Sequence, residues 1–169
     1  MPESCTHLYV HLVWATWDRQ SLIHGTARKR LYAAVTQACR NLRCLPIAIG
    51  WMPDHVHLLV RLHARASVAV LAHDAKGMSS HLVRQSNPEF RWQGSYGAFS
   101  LRETDVAKVR AYVEQQVEHH TLGRLWPRAE QCDEEPGNAK QVAGGETPSG
   151  DFDNSPVDRP DAGDRPGGQ

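Results

Sequence analysis

Two histidines separated by one residue are the first feature of this sequence that could carry out chemistry. His55 and His57 begin the segment HVHLLVRL, whose alternating apolar residues predict a β-strand over residues 55–62. Both side chains then project from one face, about 7 Å apart at Cα, and imidazoles at that separation can bind one metal ion. Two solvent-exposed histidines on an open sheet face are the alternative interpretation, and the spacing alone does not decide between them.

A second candidate group lies near residue 115. The apolar stripe of a predicted helix over residues 104–120 consists of four valines at spacings of three and four: Val106, Val109, Val113 and Val117. Tyr112, Gln116 and His119 fall together beside that stripe. A phenol next to a metal ion can attack a phosphodiester, and an amide oxygen can bind the same ion. The alternative is an ordinary amphipathic helix whose tyrosine packs at the edge of the stripe.

The remaining periodicity predicts the elements that must position these groups. The predicted strands cover residues 8–16, 45–51, 55–62 and 91–101, the last as one strand or two short ones, and the predicted helices cover 26–42, 67–85 and 104–120. The order β-α-β-β-α-β-α predicts an α+β domain of the ferredoxin-like (RRM-like) class, with helices on one face of an antiparallel sheet. A C-terminal helix carrying Tyr112 completes it.

The charged residues divide the chain into two parts. Of 19 basic and 19 acidic side chains, residues 1–128 hold 16 and 9, and residues 129–169 hold 3 and 10. The second part is rich in Gly, Pro and acidic residues and is predicted to be a disordered tail, because it has too little apolar surface to form a core. Residues 1–128 are the predicted folded domain, and its excess of +7 suits a phosphate-bearing partner.

Several classes of protein are excluded by composition. No run of about 18 apolar residues predicts a membrane span, and the start MPESCTHLYV lacks the pattern of a secretory signal. Four cysteines without paired spacing indicate reduced thiols rather than a disulfide framework. These features predict a cytoplasmic protein.

Five segments, in order, resemble the single-tyrosine HUH-family transposases of small insertion sequences. DHVHLLV at 54–60 resembles the HUH motif (His, bulky apolar residue, His) of that family. YVEQQVEHH at 112–120 is similar to its tyrosine helix, in which a Gln follows the nucleophilic Tyr by four residues. The other similar segments are HLVWATWDRQSLI at 11–23, KGMSS at 76–80 and WQGSYGAFSL at 92–101. The resemblance runs from about residue 6 to 122.

The resemblance implies a metal-dependent DNA strand transferase. His55, His57 and Gln116 would bind Mg²⁺ or Mn²⁺, and Tyr112 would attack single-stranded DNA, leaving a 5′-phosphotyrosine and a free 3′-hydroxyl. Two imidazoles and an amide are an unusual magnesium site, because hard cations favour oxygen, so modest affinity is expected without DNA. The family also implies a homodimer.

The same resemblance implies a partner, single-stranded DNA with subterminal hairpins bound by a basic surface. The residues predicted to contact DNA are Arg19, Lys76, Ser79, Ser80, Arg84 and Arg91. His119 and His120 are candidates for proton transfer from Tyr112 or, as the slightly favoured interpretation, for interaction with the C-terminal end of the helix dipole.

Three other functions remain open at this stage. The first is a domesticated or inactive protein of the same fold that binds hairpin DNA without cutting it. The second is an RNA-recognition-type domain, which would need exposed aromatic residues where this sequence has histidines. The third is a metal-dependent phosphodiesterase that uses water. The intact set of His55, His57, Tyr112 and Gln116 favours the transposase, because a protein that only binds DNA need not retain the tyrosine.

Overall fold

The computed structural model describes residues 5–132, and its elements follow the predicted order except that the last helix is divided. The main elements are β1 Leu8–Ala15, α1 Gly25–Asn41, β2 Leu45–Trp51, β3 His55–Leu62, α2 Val68–Arg84, β4 Gly97–Leu101, α3 Val106–Glu114 and α4 Gln116–Thr121. Short 3-10 turns cover Trp17–Arg19, Glu103–Asp105 and Pro127–Glu130. Among the described residues, no helix has the length and apolar character needed to cross a membrane.

The four strands form one antiparallel sheet in the order β2-β3-β1-β4. This sheet with its helices confirms the predicted α+β, ferredoxin-like class. One row of directly paired residues crosses all four strands: Gly50, His57, Val13 and Gly97. The strand predicted over 91–101 is shorter than expected, because β4 begins at Gly97 while Trp92 forms an isolated bridge with Thr16.

Different helices cover the two faces of the sheet. Val56, Leu58, Val60 and Leu62 of β3 lie in the main core with residues of α1 and α2, on the face opposite His55 and His57. On the other face, Leu59 packs with Val113 of α3 in a second apolar cluster. The face that carries the histidines is therefore covered by the C-terminal helices.

The prediction of one continuous helix over residues 104–120 is wrong, because the structure has two helices there. Gln115 leaves helical geometry, with φ −104° and ψ 24°, and separates α3 from α4. The break lies where the helix backbone meets the sheet: a Cβ at Gly50 would overlap the carbonyl oxygen of Val113 and come within 2.9 Å of Gln116 Cγ. Because glycine has no Cβ, the α3–α4 junction rests directly on β2.

The folded unit continues past residue 128, where the sequence predicted the tail to begin. Ala129 and Cys132 are buried, and a Cβ at Gly97 would overlap the carbonyl oxygen of Gln131. Residues 129–132 therefore pack against the sheet, so the predicted boundary moves beyond Cys132. The disorder predicted for the rest of the tail, from residue 133, lies outside the described residues and stays a prediction.

We expect Gly50→Ala to lower the free energy of unfolding by about 1–3 kcal/mol, because the added methyl group has no space beneath the α3–α4 junction. Chemical denaturation measures this. Gly77→Ala is the matched control: Gly77 is exposed in α2 and a Cβ there meets no atom within 4 Å. It should raise stability by about 0.5–1 kcal/mol. Equal stability of the two variants would contradict the close contact at Gly50.

Candidate active site

His55 and His57 are buried side by side at the start of β3. Their exposed fractions are 2% and 0%, and their ring centroids are 5.0 Å apart. His120 of α4 lies over His55, with 4.9 Å between ring centroids, and Tyr112 of α3 meets His57 edge-on at 6.1 Å. This burial excludes two solvent-exposed histidines, the alternative that the sequence left open.

Each of these histidines has a partner on Nδ1. His55 Nδ1 lies 2.7 Å from Asp54 Oδ1, and His57 Nδ1 lies 3.0 Å from His11 Nε2. An Nδ1–H that donates to such a partner leaves the Nε2 lone pair available for a metal ion. The sequence analysis missed His11. The alternation of β1 places His11 on the face opposite Val10, which lies in the main core, and that alternation is the signal that could have found it.

Tyr112 contacts His57 from α3, and Gln116, at the start of α4, lies against Gly50, the strand partner of His57. Tyr112 is 1% exposed and Gln116 is 2% exposed. Gln116 Nε2 donates to the carbonyl oxygen of Tyr112 at 3.4 Å, and its Oε1 is buried without a hydrogen-bond partner among the described residues. One chain thus brings together the four residues that the sequence grouped: His55, His57, Tyr112 and Gln116.

Glu130, which sequence reasoning assigned to the tail, is the unexpected member of this cluster. The Tyr112 hydroxyl donates a hydrogen bond to Glu130 Oε1. Glu130 Oε2 lies 3.2 Å from His55 Nε2, 3.4 Å from His57 Nε2 and 3.5 Å from His120 Nε2. The acidic composition that follows hid this residue, whereas Trp126, a large apolar side chain four positions earlier, indicated that the fold continued.

The imidazoles have opposite shifts in pKa. Burial lowers the pKa of His57, and burial together with the neighbouring His57 lowers the pKa of His11 to about 3. Burial also disfavours the charged form of His55, but the hydrogen bond to Asp54 and the close contact with the Glu130 carboxylate outweigh it and raise the pKa of His55 above its ordinary value. The cluster therefore holds neutral imidazoles beside one that favours its proton.

The acidic groups of the cluster are also shifted. Burial raises the pKa of Glu130, but its close contacts with the imidazoles of His55 and His57 together outweigh burial and hold the pKa well below its usual range, so the carboxylate is ionised. Burial, and next the hydrogen bond to Glu130, raises the pKa of Tyr112 to about 12. The phenol therefore carries its proton at neutral pH.

The donor atoms of the cluster fit a divalent cation. One ligand atom each from His55, His57, His120 and Glu130 lies within 4.8 Å of all the others. The three Nε2 atoms and Gln116 Oε1 are buried without hydrogen-bond partners among the described residues, which is rare for buried polar groups unless an ion or water completes them. Imidazole and carboxylate together suit first-row divalent metals, and the oxygen ligands suit Mg²⁺.

Most of the residues predicted to contact DNA lie around a second feature, a cavity of about 520 Å³ between α2 and residues 91–96. Among its lining residues are four of the predicted set: Lys76, Ser80, Arg84 and Arg91. Trp92 and Tyr96 line it too. Arg19 lies apart from these, 3.5 Å from Asp54 at the histidine cluster.

Two of these predicted contacts also have a role inside the fold. Lys76 Nζ donates hydrogen bonds of 2.7–3.1 Å to the carbonyl oxygens of three consecutive residues, 93–95. The Ser79 hydroxyl is buried, donates to the carbonyl oxygen of Ala75 at 2.6 Å, and accepts from Trp92 Nε1 at 3.0 Å. Both side chains hold the wall of the cavity in place.

His119 and His120 lie in the last turn of α4. The His119 ring is 4.8 Å from the Tyr112 ring between centroids, and His120 contacts Glu130 as described above. Both positions are compatible with proton transfer near Tyr112 and with interaction at the helix C-terminus, so the two roles stay predictions.

Comparison with known proteins places this chain in a family. Residues 4–116, more than half of the chain, match the family Y1_Tnp, described as Transposase IS200 like. The ISDra2 transposase TnpA of Deinococcus radiodurans is 24% identical over 117 residues, which cover 64% of this chain and 84% of that protein. The transposase for insertion sequence element IS200 of Salmonella typhimurium is 26% identical over 124 residues, covering 67% and 79%. The chain therefore belongs to the IS200-like transposase family.

Solved structures share the fold. A crystal structure described as that of a transposase from Deinococcus radiodurans R1 has a TM-score of 0.56 and 22% identity, covering 69% of this chain and 95% of that one. The structure of a REP-associated tyrosine transposase bound to a REP hairpin also has a TM-score of 0.56, with 17% identity and coverage of 71% and 74%. The antiparallel sheet with its helices is thus the fold of solved transposases.

We expect Asp54→Asn to lower the pKa of His55 in the metal-free protein. Burial lowers this pKa, and the variant removes the negative charge of Asp54 that raises it. The raised pKa of His55 contributes stability below pH 6.5 that is lost as pH rises through the folded value, and the variant should lose part of this contribution. An NMR titration of the histidine ring protons measures the pKa. Asp74→Asn, next to the exposed His73, is the control and should leave the pKa of His55 unchanged. If Asp54→Asn also leaves that pKa unchanged, Asp54 is not what raises it.

Proposed function

We propose that this transposase cleaves and rejoins single-stranded DNA at insertion-sequence ends through a covalent 5′-phosphotyrosine at Tyr112, with a divalent metal ion. One observation carries the proposal: within one chain, the Tyr112 hydroxyl and the Nε2 atoms of His55 and His57 contact the same partly buried carboxylate, that of Glu130. A nucleophile and candidate metal ligands therefore occupy one small volume, in a chain of a transposase family.

His55, His57 and Gln116 are the residues proposed to hold Mg²⁺ or Mn²⁺. Their support is the set of buried atoms without hydrogen-bond partners among the described residues, His55 Nε2, His57 Nε2 and Gln116 Oε1. When bound, a divalent cation polarises the phosphoryl oxygens and offsets developing negative charge. Asp54 and His11 orient the two imidazoles through Nδ1.

In the proposed reaction, Tyr112 Oη attacks the scissile phosphorus. The Oη–P bond forms, the bond from phosphorus to the 3′ oxygen breaks, and the 3′ oxygen leaves as a hydroxyl by taking up one proton, which balances the proton that Tyr112 gives up. Attack by another 3′-hydroxyl reverses these steps, so neither water nor ATP is consumed. The phenol must lose its proton, and His119 and His120 are the proposed acceptors; the pKa of His120 is lowered, chiefly by burial, so its imidazole is neutral at pH 7.

The scissile phosphate can reach Tyr112 only if residues 126–130 move. The Trp126 ring stacks on the Tyr112 ring, with centroids 4.2 Å apart and planes 8° from parallel, and the Trp126 backbone N–H donates to Tyr112 Oη at 3.2 Å. The Tyr112 hydroxyl also donates a hydrogen bond to Glu130. DNA binding therefore has to replace both contacts.

The proposed partner is single-stranded DNA that carries hairpins. The cavity beside α2 combines Lys76, Arg84 and Arg91 with the aromatic rings of Trp92 and Tyr96, a combination that suits phosphates and unpaired bases. A structure of similar fold is that of a transposase bound to a REP hairpin. A homodimer is proposed from the family resemblance, with β2 and β4 as the edge strands at which a second copy could pair.

A hairpin-binding protein without cleavage activity is the second candidate function. The specific observation in its favour is the burial of Tyr112, which is 1% exposed beneath Trp126. In this case the basic cavity would bind DNA while the tyrosine stayed covered.

We expect the full chain to form a covalent adduct with single-stranded DNA from the flanks of its own gene, in the presence of Mg²⁺ or Mn²⁺. The adduct should survive a denaturing gel, disappear with a chelator, and be absent in Tyr112→Phe, because phenylalanine lacks the oxygen that bonds phosphorus. Tyr32→Phe is the matched control, since Tyr32 is 54% exposed on α1.

Each alternative result assigns a different function. Binding in a native gel without adduct under any metal would overturn the transposase proposal and favour the inactive binder. Shortened DNA without an adduct would point to a phosphodiesterase that uses water. An adduct in Tyr112→Phe would place the nucleophile on another residue.

We expect Arg91→Gln to weaken binding of a hairpin oligonucleotide and to reduce the slope of log K against log salt by about one unit, because one phosphate contact is lost. Fluorescence anisotropy at several salt concentrations measures both quantities. Arg40→Gln removes the same charge from an exposed position of α1 that does not line the cavity. Equal salt slopes for the two variants would exclude Arg91 from the DNA surface.

A further inference from the structure

Glu130 is the one member of the buried cluster that has no role in the proposed reaction. Its carboxylate lies between the hydroxyl of Tyr112 and the Nε2 atoms of His55, His57 and His120. A role for this carboxylate rests on the proposed function, because that proposal already places a divalent cation at His55 and His57.

The contacts between Glu130 and the imidazoles are close but are not aligned hydrogen bonds. Oε2 lies 3.2, 3.4 and 3.5 Å from the three Nε2 atoms. Even so, all three Nε2 atoms lack a hydrogen-bond partner among the described residues. A carboxylate whose only role was to accept hydrogen bonds from these rings would align with at least one ring N–H. The geometry instead suits four atoms, Glu130 Oε2 and the three Nε2 atoms, that all face one point between them.

The separations agree with ligands around one metal ion. With metal–ligand bonds of about 2.1 Å, neighbouring ligand atoms are about 3.0 Å apart in octahedral and about 3.4 Å apart in tetrahedral geometry. The three distances from Glu130 Oε2 lie in or next to this range, and all four ligand atoms lie within 4.8 Å of one another. Opposite ligands of such an ion are about 4.2 Å apart, so the four atoms are slightly more widely spaced than one coordination shell and would draw together when an ion binds.

The carboxylate is held in this place by the packing of its own segment. Ala129 and Cys132 on either side of it are buried. The carbonyl oxygen of Gln131 fits against β4 because Gly97 has no side chain. Glu130 therefore projects into the cluster from a packed backbone.

We propose that Glu130 is a carboxylate ligand of the divalent cation in the DNA-free protein, alongside His55 and His57. An ionised carboxylate supplies the hard, negatively charged oxygen that two imidazoles and an amide lack. The cation is then bound before DNA arrives, in contrast to the modest affinity expected from the sequence. The ligand role applies to the DNA-free state, because Glu130 must release Tyr112 when the scissile phosphate enters.

Titration of the metal-free full chain with Mn²⁺, without DNA, tests this proposal. Calorimetry or the loss of the free-ion EPR signal gives the dissociation constant. We expect one site in the unaltered protein and at least tenfold weaker binding in Glu130→Gln, which keeps the shape of the side chain and removes its charge. Glu118→Gln is the matched control, because Glu118 is an exposed carboxylate of α4, and should bind Mn²⁺ as the unaltered chain does.

The results separate this inference from the proposed function. Equal affinity of Glu130→Gln and the unaltered chain, with loss of binding in His57→Ala, would overturn the role of Glu130 and leave the histidine metal site intact. No Mn²⁺ binding without DNA by the unaltered chain would also overturn it, while adduct formation with metal and DNA would still support the transposase.

A second readout keeps the inference testable if Glu130→Gln folds poorly, as judged by its circular dichroism. The visible absorption of bound Co²⁺ reports the ligands around the ion, and Glu130→Asp keeps the charge but shortens the side chain. We expect the Co²⁺ spectrum of Glu130→Asp to differ from that of the unaltered chain. Identical spectra and identical Co²⁺ affinity would overturn the proposal.

Discussion

The candidate site depends on how closely two backbone segments approach one row of the sheet. His57 lies in this row, with Gly50 and Gly97 at its two ends on the edge strands. A side chain at Gly50 would push away the α3–α4 junction, and one at Gly97 would push away Gln131. Because both positions lack a Cβ, the segments that carry Tyr112, Gln116 and Glu130 can lie directly over the histidines.

A buried cluster of this kind is stable only if its charges are paired. An ionised carboxylate out of water is costly unless hydrogen bonds and opposite charges surround it. Arg19, Asp54, His55 and Glu130 form a series of alternating sign, each in contact with the next. On the other side, His11 stays neutral beside His57 because burial lowers its pKa to about 3, which avoids two positive charges on stacked rings. His55 thus has an acidic partner, Asp54, and His57 has a neutral imidazole partner, His11.

The basic residues of the folded part serve two purposes that composition cannot separate. Lys76 binds three backbone carbonyl oxygens and so shapes the segment that carries Trp92 and Tyr96. Arg84 donates from Nε to the carbonyl oxygen of Phe90 at 2.8 Å. Arg91 instead is exposed, with its guanidinium 5.6 Å from the centre of the Trp17 ring. A net positive charge indicates a phosphate-bearing partner, but only the fold shows which side chains remain on the surface that would meet it.

The sequence by itself determined most of the elements and four residues of the cluster, His55, His57, Tyr112 and Gln116. Local strand signals predicted β2 and β3 with their observed bounds, and period-two alternation predicted the face of β3 that carries His55 and His57, because these patterns are local properties of the chain. His11 and Glu130 were decided by the tertiary structure alone. Strand pairing brings His11 to His57 over 46 positions, and backbone packing at Gly97 brings Glu130 to His55. Local patterns record which face a residue occupies; they do not record which distant segment comes to lie on that face.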